Sequence, residues 1–255
     1  MDITKKKVIF IDLDDTLIST RTGNKFPAGI WDMKLNLPVF DQLKKLHPLA
    51  VLIASNQGGI ELGIVPQQLF EPKFIYVIAS LQEYIGLNTL VAGQFCVVND
   101  VTNENRKPNC GMLNSMLKQF EDITKINIEN TECLVIGDAS GKPGDHSDSD
   151  RKTAENFGCD YIDVKEFIEM ELPEPLFKVI NVSTGDVISQ DGQLLENIPE
   201  SGVRKLLESL EVPAKDITVV PQLWVKPKEA SCPTQKKRKA QIKPLRNTKN
   251  HDKNQ

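Results

Sequence analysis

The chain has 255 residues, 40% of them hydrophobic, enough to bury the core of an ordinary α/β domain with a small addition. Its formal net charge of −4 hides an asymmetry: Lys226 to Gln255 hold ten basic and two acidic residues, so the remainder is strongly acidic. Five scattered cysteines without a Cys-x-x-Cys pair argue against a disulfide framework or structural zinc. The lack of a long apolar run or a signal-peptide core argues against a membrane partner, so composition predicts a soluble intracellular protein.

Val8-Ile9-Phe10-Ile11 reads as a strand of a parallel sheet buried on both faces, from about Lys7 to Asp12. It runs into Asp12-Leu13-Asp14-Asp15-Thr16. Charges cannot sit in such a strand, so the acids belong at its carboxyl end, the edge where open α/β sheets bind ligands. Asp12 and Asp14 are two residues apart, so an extended backbone points both the same way. Such a pair can hold a hard cation, and one carboxylate can attack while the other moves a proton. Ser19 to Pro27 looks like an ordered polar loop.

Pro38 to Leu46 has helical spacing, and Leu49 to Ala54 reads as a second buried strand ending in Ser55-Asn56-Gln57-Gly58-Gly59. The strand-helix-strand run predicts a right-handed crossover. Pro66 to Gly86 looks helical with a break or kink at Pro72, and Gln94 to Val98 is a third strand. Arg106-Lys107-Pro108 then precedes another helix. Glu132 to Ile136 is a fourth strand ending in Gly137-Asp138. Asp150 to Gly158 reads as a short helix capped by its aspartate, followed by a fifth strand, Cys159 to Asp163. The strand ends thus offer, in order, Asp/Asp, Ser, Lys and Asp. Acids for magnesium, a hydroxyl and an ammonium are the parts of metal-assisted phosphoryl transfer through an aspartyl phosphate.

This order resembles the four motifs of the haloacid dehalogenase superfamily. More narrowly, Asp12 through Pro27, Ser55-Asn56-Gln57-Gly58-Gly59-Ile60, Arg106-Lys107-Pro108 with Gly111-Met112, Gly137 through Lys142, and Ser147 through Arg151 resemble the phosphatase domain of polynucleotide kinase/phosphatase. The resemblance covers roughly residues 6 to 170. It implies a Rossmann-like, doubly wound parallel sheet and a polynucleotide 3′-phosphatase acting on DNA with 3′-phosphate ends. By the same resemblance Asp12 is the nucleophile, and Asp14 is the general acid and later base. Asp12, the Asp14 carbonyl and Asp138 ligate Mg²⁺. Ser55 and Lys107 hold phosphoryl oxygens, with Thr16, Asn56 and Arg106 counted among the substrate-binding residues and Thr16 bracing the first loop. Asp150 supports Lys107 or metal-bound water. Two positions depart from the family pattern: Asp15 replaces a usual glycine, and Leu113 stands where tryptophan is common.

The rival within the superfamily is a small-molecule phosphatase of the histidinol-phosphate or heptose-bisphosphate type. Those relatives carry a Cys/His zinc loop before Arg-Lys-Pro, whereas Asn99 to Asn105 has neither residue. A rival of another class is a catalytically dead nucleic-acid-binding protein. A P-loop is not expected, since Gly137 through Pro143 has one spacer too few and proline in place of the hydroxyl. The reading is therefore a stand-alone 3′-phosphatase without 5′-kinase activity and without a nucleoside triphosphate partner.

Three regions are expected: a phosphatase domain over residues 1–173, a small appended α+β unit over 174–225, and a disordered basic tail over 226–255. In the appended unit, Phe177 to Val182, Asp186 to Ile188 and Ile217 to Val220 read as strands, and Pro199 to Leu210 as a helix. The tail contains Lys236-Lys237-Arg238-Lys239, which suits non-specific contact with DNA backbone or nuclear import. Expected localisation is nuclear for a eukaryote or a virus replicating in the nucleus, and otherwise cytoplasmic.

Overall fold

The computed structural model describes residues 1–24, 26–191, 193–210 and 212–223; the basic tail lies outside the described residues. The strands, in chain order, are β1 (Val8–Ile11), β2 (Ile18–Thr20), β3 (Met33–Leu35), β4 (Ala50–Asn56), β5 (Leu90–Cys96), β6 (Cys133–Gly137) and β7 (Asp160–Asp163). Helices α1 (Leu37–Leu46), α2 (Gly58–Glu61), α3 (Gln67–Ile85), α4 (Gly111–Thr124), α5 (Ser149–Phe157) and α6 (Val164–Glu169) lie between or after them.

Five strands form one parallel sheet in the order β5-β4-β1-β6-β7. Period-two alternation divides β1 between two cores. Ile9 and Ile11 pack with Val39, Phe40, Leu43, Phe70, Phe74 and Phe167 on one face, while Val8 and Phe10 pack with Met112, Met116, Phe120 and Phe157 on the other. Helices α1, α3 and α6 therefore cover one face and α4 and α5 the other, the doubly wound arrangement expected. From β1 the chain moves first toward β4 and β5, then returns to place β6 on the opposite side. The strand order switches between β1 and β6, and it is beyond the carboxyl ends at such a switch that open α/β sheets bind their ligands.

Several expectations are corrected. Ser19 to Pro27 is not wholly loop: β2 pairs with β3 in an antiparallel ribbon, with Ile18 opposite Leu35. Asp32 is fully buried and organises the turn, accepting hydrogen bonds from Thr22 N (2.9 Å), Thr22 Oγ1 (3.0 Å) and Ala28 N (3.0 Å). Helix α3 runs through Pro72 without ending. Proline there removes one helical bond near the N-terminus, at a cost of roughly 3 kcal/mol. Phe70, Phe74, Val77, Leu81 and Ile85 form a buried stripe along α3, each stabilising by about 1.5–3 kcal/mol, which outweighs it. β5 starts earlier than expected and ends at Cys96, paired with Asn56 of β4. Asp148, not Asp150, stands at the N-cap of α5.

Beyond α6, β8 (Leu176–Asn181), β9 (Ser189–Gln190), β10 (Gln193–Leu194), β11 (Ile198–Pro199), α7 (Glu200–Ser209) and β12 (Ile217–Pro221) follow. β8 lies between β11 and β12 in a three-stranded sheet. Asp186 to Ile188 is not a strand; Val187 makes only an isolated bridge to Ile180. Phe177 meets His47, at the end of α1, edge to face at 5.3 Å. No helix among the described residues is long and apolar enough to cross a membrane.

Candidate active site

Asp12 follows β1, its backbone N–H donating to Ile136 O of β6 (2.9 Å). This fixes the first acid beside the strand that leads to Asp138. Lys107 is not at a strand end. It lies well past Cys96, in the loop before α4, and is brought back by Asn56 at the end of β4. The Asn56 amide donates through Nδ2 to Lys107 O and accepts through Oδ1 from Lys107 N, both at 2.9 Å. The Lys107 ammonium, only 5% exposed as a residue, then reaches Asp12 Oδ1 (2.5 Å) and Asp150 Oδ1 (2.6 Å).

Asp150 is held from its other side, where Oδ2 accepts from Ala139 N (3.1 Å). Gly137 permits this approach, since a Cβ there would lie 2.1 Å from Asp150 Oδ2. Asp138 takes Thr16 Oγ1 at 3.4 Å and has His146 Nδ1 at 3.5 Å. Among the described residues, Asp12, Asp138 and Asp150 place ligand oxygens within 4.8 Å of one another. Three carboxylates around a single ammonium leave excess negative charge, and all-oxygen donors suit a hard divalent cation such as Mg²⁺.

The electrostatics agree with that reading. Burial pushes the Asp12 carboxyl well above the usual carboxylate range; Lys107 opposes the shift and Asp150 adds to it. Asp138 is raised to about 6, first by burial and then by Asp150 and Asp15, with His146 opposing. Burial works against the Lys107 ammonium, but Asp12 and Asp150 outweigh it and hold its pKa above the usual lysine value. The lysine is a fixed positive charge. The two carboxylates gain a partner when a cation arrives.

Asp14 points elsewhere. Its Oδ2 accepts from Gln57 Nε2 (2.6 Å), and the same nitrogen donates to Ser55 Oγ (2.9 Å). Its Oδ1 faces Lys73 Nζ at 3.6 Å. The expected general acid and the expected phosphate-gripping hydroxyl are thus joined through one amide. Gln57 and Lys73 are residues that the sequence reading did not assign to the site. Gln57 lay unused inside a quoted motif. For Lys73 the signal was a charge inside the apolar stripe of α3.

Of the expected substrate-binding residues, Thr16 and Ser55 are fully buried. Thr16 braces Asp138 and, through its carbonyl, accepts from Asn36 Nδ2 (2.9 Å). Asn56 is committed to the Lys107 loop. Arg106 is half-buried, with Nη1 donating to Val98 O (3.1 Å) and lying 2.9 Å from where a Cβ on Gly58 would sit. Asp15 adopts φ 56°, the left-handed region that glycine occupies without strain and aspartate tolerates. It is exposed beside the site. Leu113 is buried in the core shared by α4 and the sheet, so the departure from tryptophan is a packing difference.

Residues 7–168 match the sequence model of the polynucleotide kinase 3 phosphatase family. The chain belongs to this family. It is 34% identical over 175 residues to the bifunctional polynucleotide phosphatase/kinase of Schizosaccharomyces pombe, a match covering 68% of this chain and 38% of that protein. An uncharacterised 20.8 kDa protein of Autographa californica nuclear polyhedrosis virus is 30% identical over 176 residues, covering 66% of this chain and 88% of that one. The solved D,D-heptose 1,7-bisphosphate phosphatase of B. bronchiseptica is 18% identical with a TM-score of 0.47, over 66% of this chain and 89% of that one. This member of the polynucleotide kinase 3 phosphatase family spans well under half of the fission yeast relative.

Proposed function

We propose that this phosphatase-family chain is a Mg²⁺-dependent polynucleotide 3′-phosphatase that converts a 3′-phosphate end of DNA to a 3′-hydroxyl through an aspartyl phosphate on Asp12. The observation that carries the reading is the buried Asp12–Lys107–Asp150 chain beside Asp138. In it an anionic nucleophile and a fixed cation share one crevice, as transfer of a dianionic phosphoryl group requires.

In this reading Asp12 attacks phosphorus. The Lys107 ammonium, already aimed at Asp12, donates to the incoming phosphoryl oxygens together with the Ser55 hydroxyl. Asp14 gives its proton to the leaving O3′ and then takes one from the water that hydrolyses the aspartyl phosphate. Asp12, Asp138 and the Asp14 carbonyl would hold Mg²⁺, which supplies charge neutralisation to the phosphoryl oxygens when bound.

Substrate size follows from what borders the crevice. The insert between Thr16 and α1 is only the β2–β3 ribbon, too small to form an enclosing lid. Its far end carries Phe26 (39% exposed) and Trp31 (70% exposed), while Leu62 and Ile64 are exposed ahead of α3 and Leu69 in its first turn. A cavity of about 420 Å³ lies between these segments, lined by Asn24, Phe26, Ile64, Leu69 and Lys73 among others. Exposed aromatic faces of this kind stack nucleobases without selecting sequence. The test is release of phosphate from a 3′-phosphorylated oligonucleotide compared with histidinol phosphate and a sugar phosphate. Preference for either small substrate would overturn the polynucleotide reading, and no release from any would favour a dead binding protein.

A further inference from the structure

Lys73 is a charge in an otherwise apolar row. Along α3 its neighbours on the inner face are Phe70, Phe74 and Val77, and the lysine itself is 3% exposed. Its ammonium lies 4.9 Å from the centre of the Phe70 ring and 3.6 Å from Asp14 Oδ1. That oxygen is itself buried and accepts no hydrogen bond, while the other oxygen of the same carboxyl takes Gln57 Nε2 at 2.6 Å. Each oxygen of Asp14 therefore faces one buried nitrogen, and the two nitrogens come from different elements. A buried ammonium is costly unless an opposite charge compensates it. A hydrocarbon side chain would fill the same space without that cost. Packing gives no reason for lysine at this position; Asp14 does.

The location adds a second argument. Lys73 forms part of the wall of the cavity between the ribbon and α3. It thus borders both Asp14 and the cavity beside the ribbon. From these contacts, and resting on the general-acid reading of Asp14 given above, we infer that Lys73 is a positioning residue. With Gln57 it clamps the Asp14 carboxyl in the attitude from which its proton reaches the leaving oxygen. In the step served, a bond forms from Asp12 to phosphorus and the phosphorus–O3′ bond breaks. The electron pair departs on O3′, and O3′ takes the proton of Asp14.

In the first half of the reaction the clamp matters only where the leaving oxygen needs a proton. The experiment therefore compares kcat/KM, which ends at loss of the leaving group and excludes the shared hydrolysis of the aspartyl phosphate, on a 3′-phosphorylated oligonucleotide, whose alkoxide is a poor leaving group, and on p-nitrophenyl phosphate, whose phenolate departs unprotonated. Both substrates are measured on the same preparation, so the ratio does not depend on the fraction folded. Asp14→Asn should lower the ratio strongly. Lys73→Met should lower it by about tenfold, part of the 10²–10⁴ that a positioned general acid supplies, with little change in KM. Lys73→Arg should recover most of it. If Asp14→Asn leaves the ratio unchanged, the general-acid reading itself is wrong. If Asp14→Asn lowers the ratio and Lys73→Met does not, or if Lys73→Met depresses both substrates equally, the clamp is refuted while the acid stands.

Discussion

Asn56 closes on the main chain of Lys107 with both ends of its amide, two hydrogen bonds of 2.9 Å spanning 51 positions of sequence. The contact places a loop lysine where a strand-end residue would otherwise have to be. Asn56→Ala should leave the Lys107 N–H and C=O without that partner and cost about 1–3 kcal/mol in urea unfolding. Turnover should fall with it, because the ammonium loses its register against Asp12. Asn56→Asp keeps the acceptor and loses the donor, so it should fall between wild type and Asn56→Ala.

Removing the carboxylate of Asp12 should not harm the fold. Asp12→Asn is expected to abolish phosphate release. Burial disfavours the Asp12 carboxylate and Lys107 keeps Asp150 as counter-charge, so the variant should still unfold in one cooperative transition in the absence of divalent cations. Calorimetry on both proteins with EDTA checks this, and residual turnover at the wild-type level would exclude Asp12 as nucleophile.

The response to magnesium should depend on pH. Asp138 has its folded-state pKa raised to about 6 from an ordinary value near 3.8. The folded chain therefore binds its proton more tightly than the unfolded chain does. The associated stability is present below the ordinary value and is lost as pH rises through about 6. A bound cation reverses the preference, since it needs the carboxylate ionised. Added Mg²⁺ should accordingly raise Tm more at pH 7.5 than at pH 5. Equal shifts at both values would remove Asp138 from the ligand set.

Asp15 brings an added negative charge to the mouth of a site proposed to bind a polyanion. Asp15→Gly relaxes a left-handed residue and lowers the charge around Asp138. The expected outcome is a lower KM for a 3′-phosphorylated oligonucleotide at low salt, with the gain shrinking as ionic strength screens the charge.

Much of the molecule was legible because the strands are buried on both faces and end in chemistry. Val8–Ile11 and Cys133–Gly137 could hold no charge, so Asp12 and Asp138 had to lie at the rim, and a strand-helix-strand unit put the strand ending in Ser55 beside the first. What escaped was settled by pairing rather than pattern. The ribbon formed by Ile18–Thr20 and Met33–Leu35 is too short and polar to show alternation, and its turn depends on the buried Asp32. Helix α3 outlasted Pro72 because its apolar stripe exceeds the loss of one bond, a balance that a local rule does not weigh. Lys73 was invisible for a related reason. One charged residue in a helix reads as a solvated position until the acid it faces, 59 residues earlier in the chain, is folded against it.

Gly137 is a place where the backbone itself serves as the wall of the crevice. Any substituent would have to occupy the volume of the Asp150 carboxylate, so the disturbance would be mechanical before it was chemical. Helix α5 would be levered outward, Asp150 would draw the ammonium of Lys107 away with it, and Asp12 would lose its counter-charge while remaining untouched. The centre is interlocked through a missing methyl group, and a lesion at this position would mimic a defect in Asp12 from the neighbouring strand.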